Sequence, residues 1–163
     1  MLVVLAALAG FYVFGVRSTQ AMGHYSILDE ANREAMDTLT REVRQAKLVT
    51  AFSTNPASIS VLNGDDQTVT YTFNTDNQTF TRSSADGVKI LLDHCNLLQF
   101  SLFQRNPSNA SFGVFPAATA NWQKTVKVIQ LTWKTTMTNN PFPIINSENV
   151  QTARIVIRKQ QND

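Results

Sequence analysis

Residues 1–49 read MLVVLAALAGFYVFGVRSTQAMGHYSILDEANREAMDTLTREVRQAKLV and contain no proline. The first sixteen residues have no charged or strongly polar side chain, and Arg17 carries the first charge. As a helix, sixteen residues measure about 24 Å, somewhat less than the ~30 Å hydrocarbon core of a bilayer. A cleavable signal peptide has a basic region before its apolar stretch, whereas no basic residue precedes Leu2 here. We therefore predict that residues 1–24 are the membrane-spanning part of an N-terminal helix.

The second part of this segment has the pattern of an amphipathic helix. No glycine or proline occurs between Gly23 and Val49, and apolar residues recur at steps of roughly four. A helix that is apolar all round at first and one-sided afterwards is typical of a lipid anchor that continues onto a folded domain. We predict a helix over residues 25–49, and the residues predicted to dock it on a sheet are Leu28, Ala31, Ala35, Leu39 and Val43.

Beyond Val49 the pattern changes to the alternation of β-strands. Asn63 and Gly64 begin a turn between two alternating runs, which predicts a hairpin. Predicted strands cover residues 58–62, 68–73, 79–83, 88–93, 96–104, 124–136 and 151–158. Residues 105–121 are predicted to form an exposed loop and 139–149 a connection. The fold class is therefore α+β, with the helix packed on one antiparallel sheet in a head formed by residues 25–163.

Composition excludes several classes of function. Charged residues make up 16% of the chain and its net charge is +2, so no strong electrostatic footprint argues for binding to nucleic acid or to an acidic substrate. Cys95 is the only cysteine, which rules out an intrachain disulfide and a CxxC site. It is expected to be a small buried apolar residue.

No catalytic or metal site is predicted. Asp93, His94 and Cys95 are consecutive, and consecutive strand residues point to opposite faces, so they are poorly placed to share a metal. Only Glu148 and Asp163 supply carboxylates after Asp93, which is too few for a calcium cage. We expect no cofactor and no enzymatic activity.

Several segments resemble prepilin-type proteins, most of all the minor pilins of the PilW type and the J-type minor pseudopilins of type II secretion. These segments are LDEANREAMDTLTREVRQAKLVTAF at 28–52, VTYTF at 69–73, FTRSS at 80–84 and LLDHCNLLQFSLFQR at 91–105. In that group a helix ending in a basic-Gln/Ser-Ala motif, here residues 44–46, leads into the sheet. An aromatic-Ser-aliphatic-Phe strand follows, here residues 100–103.

The resemblance implies a pilin-like fold and a structural role without catalysis. Its implied partners are other pilin-like subunits and the inner-membrane assembly platform, with the head in the bacterial periplasm and no nucleic acid bound. A pseudopilus and a type IV pilus stay equal alternatives. The residues expected to anchor and assemble the subunit are Leu2, Val3, Val4, Leu5, Leu8, Phe11, Phe14 and Val16.

The sequence departs from this family at its start. Prepilins have a basic leader, a glycine at the cleavage point, an aromatic residue that becomes the methylated N-terminus, and a glutamate five residues into the mature helix. That pattern is missing, and Glu30 is the first glutamate. A start codon assigned too late, a trimmed chain and an unprocessed variant each explain the departure. We expect the first, because the apolar run is a few residues short and has no basic flank.

Two other functions are compatible with the same sequence. The first is a single-pass membrane protein whose β domain binds a ligand or partner and never polymerises. The second is a secreted enzyme or carbohydrate-binding module, in which Phe112, Phe115 and Trp122 would form an aromatic surface.

Overall fold

A computed structural model describes residues 2–106, 114–117, 122–138 and 146–158. The first element is helix α1, Leu2–Gln45, which at 44 residues is about 66 Å long. Every residue from 2 to 17 is exposed, whereas the second half of the helix has a buried stripe. The predicted arrangement, one long N-terminal helix packed on antiparallel β structure, is confirmed.

The first sheet is a five-stranded antiparallel meander, ordered as its strands follow in the chain. Its strands are β1 Leu48–Thr54, β2 Ala57–Leu62, β3 Thr68–Asn74, β4 Thr79–Ser84 and β5 Gly87–Leu92. The turn between β2 and β3 forms where predicted, because the Asn63 side-chain oxygen accepts hydrogen bonds from the backbone nitrogens of Asp65 and Gln67. Asp66 adopts the left-handed conformation that this turn needs, with φ of 60°.

The second sheet contains the C-terminal strands in the order β7-β6-β8-β9, and its strand pairs are also antiparallel. These strands are β6 Cys95–Arg105, β7 Val114–Pro116, β8 Val126–Thr138 and β9 Asn146–Val156, with the short helix α2 Trp122–Thr125 before β8. Helix α1 packs mainly against β9 and also against β5 and β8.

The core lies between the two sheets and the second half of α1. Phe80 of β4 is its aromatic centre, with ring centroids 5.8 Å from Trp133, 6.0 Å from Tyr71 and 6.4 Å from Phe100. Those partners belong to β8, β3 and β6, so one ring joins both sheets. Aromatic pairs at such distances add about 0.5–1.5 kcal/mol each beyond burial.

Four sequence predictions need correction. Helix α1 ends at Gln45 rather than at Val49, and β1 begins at Leu48, because this segment pairs with β2 through Leu48–Leu62 and Phe52–Ile59. The predicted single sheet is two sheets, since β6 pairs with β8 and not with β5. The predicted loop over 105–121 contains β7, and β9 begins at Asn146, inside the predicted connection.

Candidate functional site: the protruding half of helix α1

Residues 2–16 of α1 form an exposed apolar surface. The eight residues predicted to anchor and assemble the subunit all lie on it, and their side chains are between 40% exposed, at Val16, and 85% exposed, at Leu2. Tyr12 and Val13 are exposed beside them. The helix is long and apolar enough to cross a membrane, and the apolar stretch that passes this test is not buried by the head.

Small residues interrupt the large apolar side chains of this surface. Ala6 and Gly10 are four positions apart, which places them on one face of the helix. A side chain added at Gly10 or at Gly15 would meet nothing within 4 Å. Paired small residues let the backbone of a second helix approach closely, which is a main source of affinity between helices in lipid. The surface therefore suits contact with other helices as well as with lipid.

The second half of α1 is held by the head. Of the five residues predicted to dock the helix, Leu28, Ala35, Leu39 and Val43 are buried, and Ala31 is partly buried. All except Leu28 lie in or against the core cluster that contains both sheets. Fully burying a Leu or Val side chain contributes about 1.5–3 kcal/mol, so this stripe holds the helix firmly on the head.

A buried polar network lies on the same stripe. The side-chain oxygen of Asn32 accepts a hydrogen bond of 2.7 Å from the Trp133 indole nitrogen, and its side-chain nitrogen donates one of 3.0 Å to the Thr135 hydroxyl. Asn32 is only 1% exposed. The sequence-based prediction of docking residues omitted Asn32 because its side chain is polar. Its spacing, four residues after Leu28 and three before Ala35, nevertheless places Asn32 on the same buried face of α1.

A second network joins α1 to the five-stranded sheet. The Glu42 carboxylate accepts hydrogen bonds from the Tyr71 hydroxyl and from the Arg82 guanidinium, at 2.9 and 3.0 Å for the latter. Burial, together with the hydrogen bond to the Glu42 carboxylate, raises the pKa of Tyr71 well above its usual range. The hydrogen bond to Glu42 also raises the pKa of Arg82. Sequence analysis gave no signal for this cluster, whose members lie on three different elements.

Asp93, His94 and Cys95 do not form a site in this structure. Cys95 is fully buried while Asp93 and His94 are exposed, and the Cys95 thiol donates to the Leu97 carbonyl at 3.3 Å. Burial raises the pKa of the Cys95 thiol to about 11, so it stays protonated at neutral pH. Within residues 2–106 and the shorter described segments, no three His, Cys, Asp or Glu side chains are grouped to hold a metal ion.

The aromatic surface considered for glycan binding is placed only in part. Trp122 is partly buried against the core, with its ring edge-on to Phe52 at 6.4 Å. Phe115 is 42% exposed on β7, and Phe112 lies outside the described residues.

No family model matches the chain, and no curated protein or solved structure shows significant similarity to it. One continuous helix is buried along one half and exposes an apolar surface along the other.

Proposed function

We propose that this chain is a structural pilin-like subunit of a type II secretion pseudopilus or a type IV pilus. Helix α1 holds it in the bacterial inner membrane, and the head lies in the periplasm. The observation that carries the proposal is the unbroken course of α1 from an exposed apolar segment, residues 2–16, into the core of the head.

The described head does not bury the apolar residues 2–16, so a membrane or another protein has to remove them from water. Large apolar patches on a protein surface mark contacts with membranes or with other proteins. In the membrane, lipid covers residues 2–16. In a fibre, the corresponding helices of other pilin-like subunits cover them, so the apolar residues pass between two apolar surroundings. The free-energy difference then comes from packing, for which the small residues Ala6 and Gly10 provide close contact.

The continuity of α1 gives this exchange a mechanical consequence. Because Ala35, Leu39 and Val43 fix the second half in the core, any displacement of the head along the membrane normal moves the first half by the same amount. An assembly platform that pushes on subunits from the membrane can therefore lift head and anchor together. Besides the platform, the partners of this chain are other pilin-like subunits. No step of this assembly requires a cofactor or catalysis.

Cysteine crosslinking between helices tests the proposal. Single cysteines replace residues in the range 2–16 of the full chain, in a Cys95→Ser background that removes the native thiol. The same is done at matching positions in co-expressed pilin-like proteins, and oxidation is carried out in membranes. We expect crosslinks on one helical face that contains Ala6 and Gly10, and none from a control cysteine placed at Asp76 on the β3–β4 turn.

The absence of crosslinks from residues 2–16 would contradict the proposal. If the protein is present in the membrane and no position from 2 to 16 crosslinks to another pilin-like subunit, the polymer model fails. The single-pass protein with a non-polymerising β domain then takes its place.

A further inference from the structure

The solvent-facing side of α1 separates its charges along the helix. Residues 26–34 contain three carboxylates, Asp29, Glu30 and Glu34, and one basic residue, Arg33. Residues 38–45, at the end of α1, reverse the balance, with two basic residues, Arg41 and Arg44, and one carboxylate. That carboxylate, Glu42, is occupied by Tyr71 and Arg82. The head-bound half of the helix is thus acidic near the membrane and basic away from it.

The basic end of the helix has a groove. It is about 580 Å³ in volume and is lined by Arg41, Arg44 and Arg158 together with Asp37, Thr40 and Gln45. The segment that follows β9 lies beside it, because the backbone nitrogen of Arg158 donates to the Arg44 carbonyl at 3.2 Å. All three arginines are exposed, and none forms an ion pair with another described residue. Among the described residues, the groove lining therefore presents three guanidinium groups and one carboxylate, that of Asp37.

The acidic end offers a matching group. Glu30 is exposed and forms no ion pair within the described ranges of the chain. Arg41 and Arg44 follow it by 11 and 14 residues, spacings that return to the same face of a helix. This face is opposite the buried stripe that contains Leu39 and Val43, so the head does not cover it.

The membrane is too far away to supply the anion. Arg41 lies 17 residues beyond the predicted end of the membrane-spanning part at residue 24, which is about 25 Å along the helix. Electrostatic attraction between exposed charges decays over about 8 Å at physiological ionic strength. Lipid headgroups therefore do not reach the groove.

We propose that the groove lined by Arg41, Arg44 and Arg158 binds the acidic stretch around Glu30 on α1 of a second copy of this chain, in a head-to-tail contact. This inference rests on the proposed function, because it needs copies displaced along the helix axis. The spacing sets that displacement: Glu30 of one copy reaches Arg41 or Arg44 of the next when the two parallel helices are shifted by about 17–21 Å.

Such a contact joins two different surfaces of the same molecule. A contact of this type leaves the acidic end of one copy and the basic end of the other unused, so it continues into an open filament instead of closing as a dimer. Complementary charges also select the axial shift, because an unshifted pair places Glu30 opposite Glu30 and the arginines opposite each other.

A charge-swap experiment on the full chain in membranes tests the contact. Two differently tagged copies carry Cys95→Ser, one with Ile27→Cys and the other with Thr40→Cys, two positions 13 residues apart that flank the proposed contact. We expect a crosslink between the copies. Reversing Arg41 and Arg44 to Glu in the Thr40→Cys copy should lower its yield at least about tenfold, because like charges then face each other. Adding Glu30→Arg to the Ile27→Cys copy should restore the yield to within about twofold.

Two controls separate this inference from the function on which it rests. Asp76→Arg reverses an exposed turn charge away from the groove and should leave the yield unchanged. The crosslinks between residues 2–16 are measured in the same membranes. If those persist while the charge reversals change nothing, the groove does not bind the acidic stretch although the polymer model stands. If neither crosslink forms between copies that keep the native charges, both proposals fail. Unchanged thermal unfolding of the reversed variants excludes misfolding as the cause.

Discussion

The Trp133 indole nitrogen donates a 2.7 Å hydrogen bond to the Asn32 side-chain oxygen, joining β8 to α1 across 101 residues of sequence. Both side chains are almost completely buried. The bond places a specific point of the helix against a specific point of the four-stranded sheet, which the apolar contacts of Leu39 and Val43 alone would not do. A buried polar pair of this kind therefore sets the position of the helix on the head.

Replacing Asn32 with Ala should destabilise the head by about 1–3 kcal/mol, because it leaves the buried Trp133 indole N–H without an acceptor and removes the hydrogen bond that the Thr135 hydroxyl accepts. The measurement is the denaturant midpoint of the full chain in detergent, followed by tryptophan fluorescence. Asn96→Ala is the matched control: Asn96 is exposed and donates to the Thr136 hydroxyl at 2.7 Å, so its loss should cost less than about 0.5 kcal/mol. Equal effects of the two variants would contradict the assigned role of Asn32.

Leu39→Asp should destabilise the head by several kcal/mol, because Leu39 is completely buried and an unpaired carboxylate would replace it in the core. Thermal unfolding of the full chain in detergent measures the effect. Val88→Asp serves as the comparison, since Val88 is 72% exposed on β5 and should change stability by less than about 0.5 kcal/mol. An unchanged unfolding temperature for Leu39→Asp would mean that the stripe does not dock the helix.

Tyr71 should make the stability of the head depend on pH in the alkaline range. Its pKa is raised in the folded state, so the folded protein keeps a proton that the unfolded chain loses above its ordinary pKa of about 10. The resulting stabilisation is complete below pH 10 and decreases as the pH rises above it.

Comparison with Tyr71→Phe isolates this effect. The variant should be less stable by about 1.5–3 kcal/mol at neutral pH, because it loses a hydrogen bond to the Glu42 carboxylate. The stability difference between the two proteins should stay constant from about pH 7 to 9 and shrink above about pH 10. A difference that stays constant to pH 11 would contradict the raised pKa of Tyr71.

Ala9→Lys should reduce retention in the membrane and incorporation into fibres while leaving the head folded. A lysine at the centre of a spanning helix costs about 2.5–3.5 kcal/mol on insertion scales, and it would be unpaired among apolar helices. Fractionation and crosslinking measure the two losses. The matched change Val4→Leu keeps the surface apolar and should be tolerated, at a cost below about 1.5 kcal/mol. Normal retention and assembly of Ala9→Lys would place this part of α1 outside the membrane and the fibre core.

The sequence by itself determined the features that depend on neighbours in the chain. Helix α1 follows from residues that lack proline and repeat apolar side chains at helical spacing, and its buried residues Leu28, Ala35, Leu39 and Val43 follow from the same period. The hairpin of β2 and β3 follows from the turn at Asn63 and Gly64, and both strands lie within one residue of their predicted bounds. The local backbone conformation and the pattern of burial decide these elements.

Only the tertiary structure decided the features that need a distant partner. The segment 46–49 continues the helical pattern, yet β1 begins at Leu48 because pairing with β2 satisfies its backbone there. The division into two sheets depends on β6 pairing with β8 in preference to β5. Asn32 is stable in the core because Trp133 and Thr135 satisfy its side chain from more than 100 positions away. A helix forms through hydrogen bonds between residues four apart in the sequence. Strand order and buried polar pairs depend on long-range contacts, which exist only once the chain has folded.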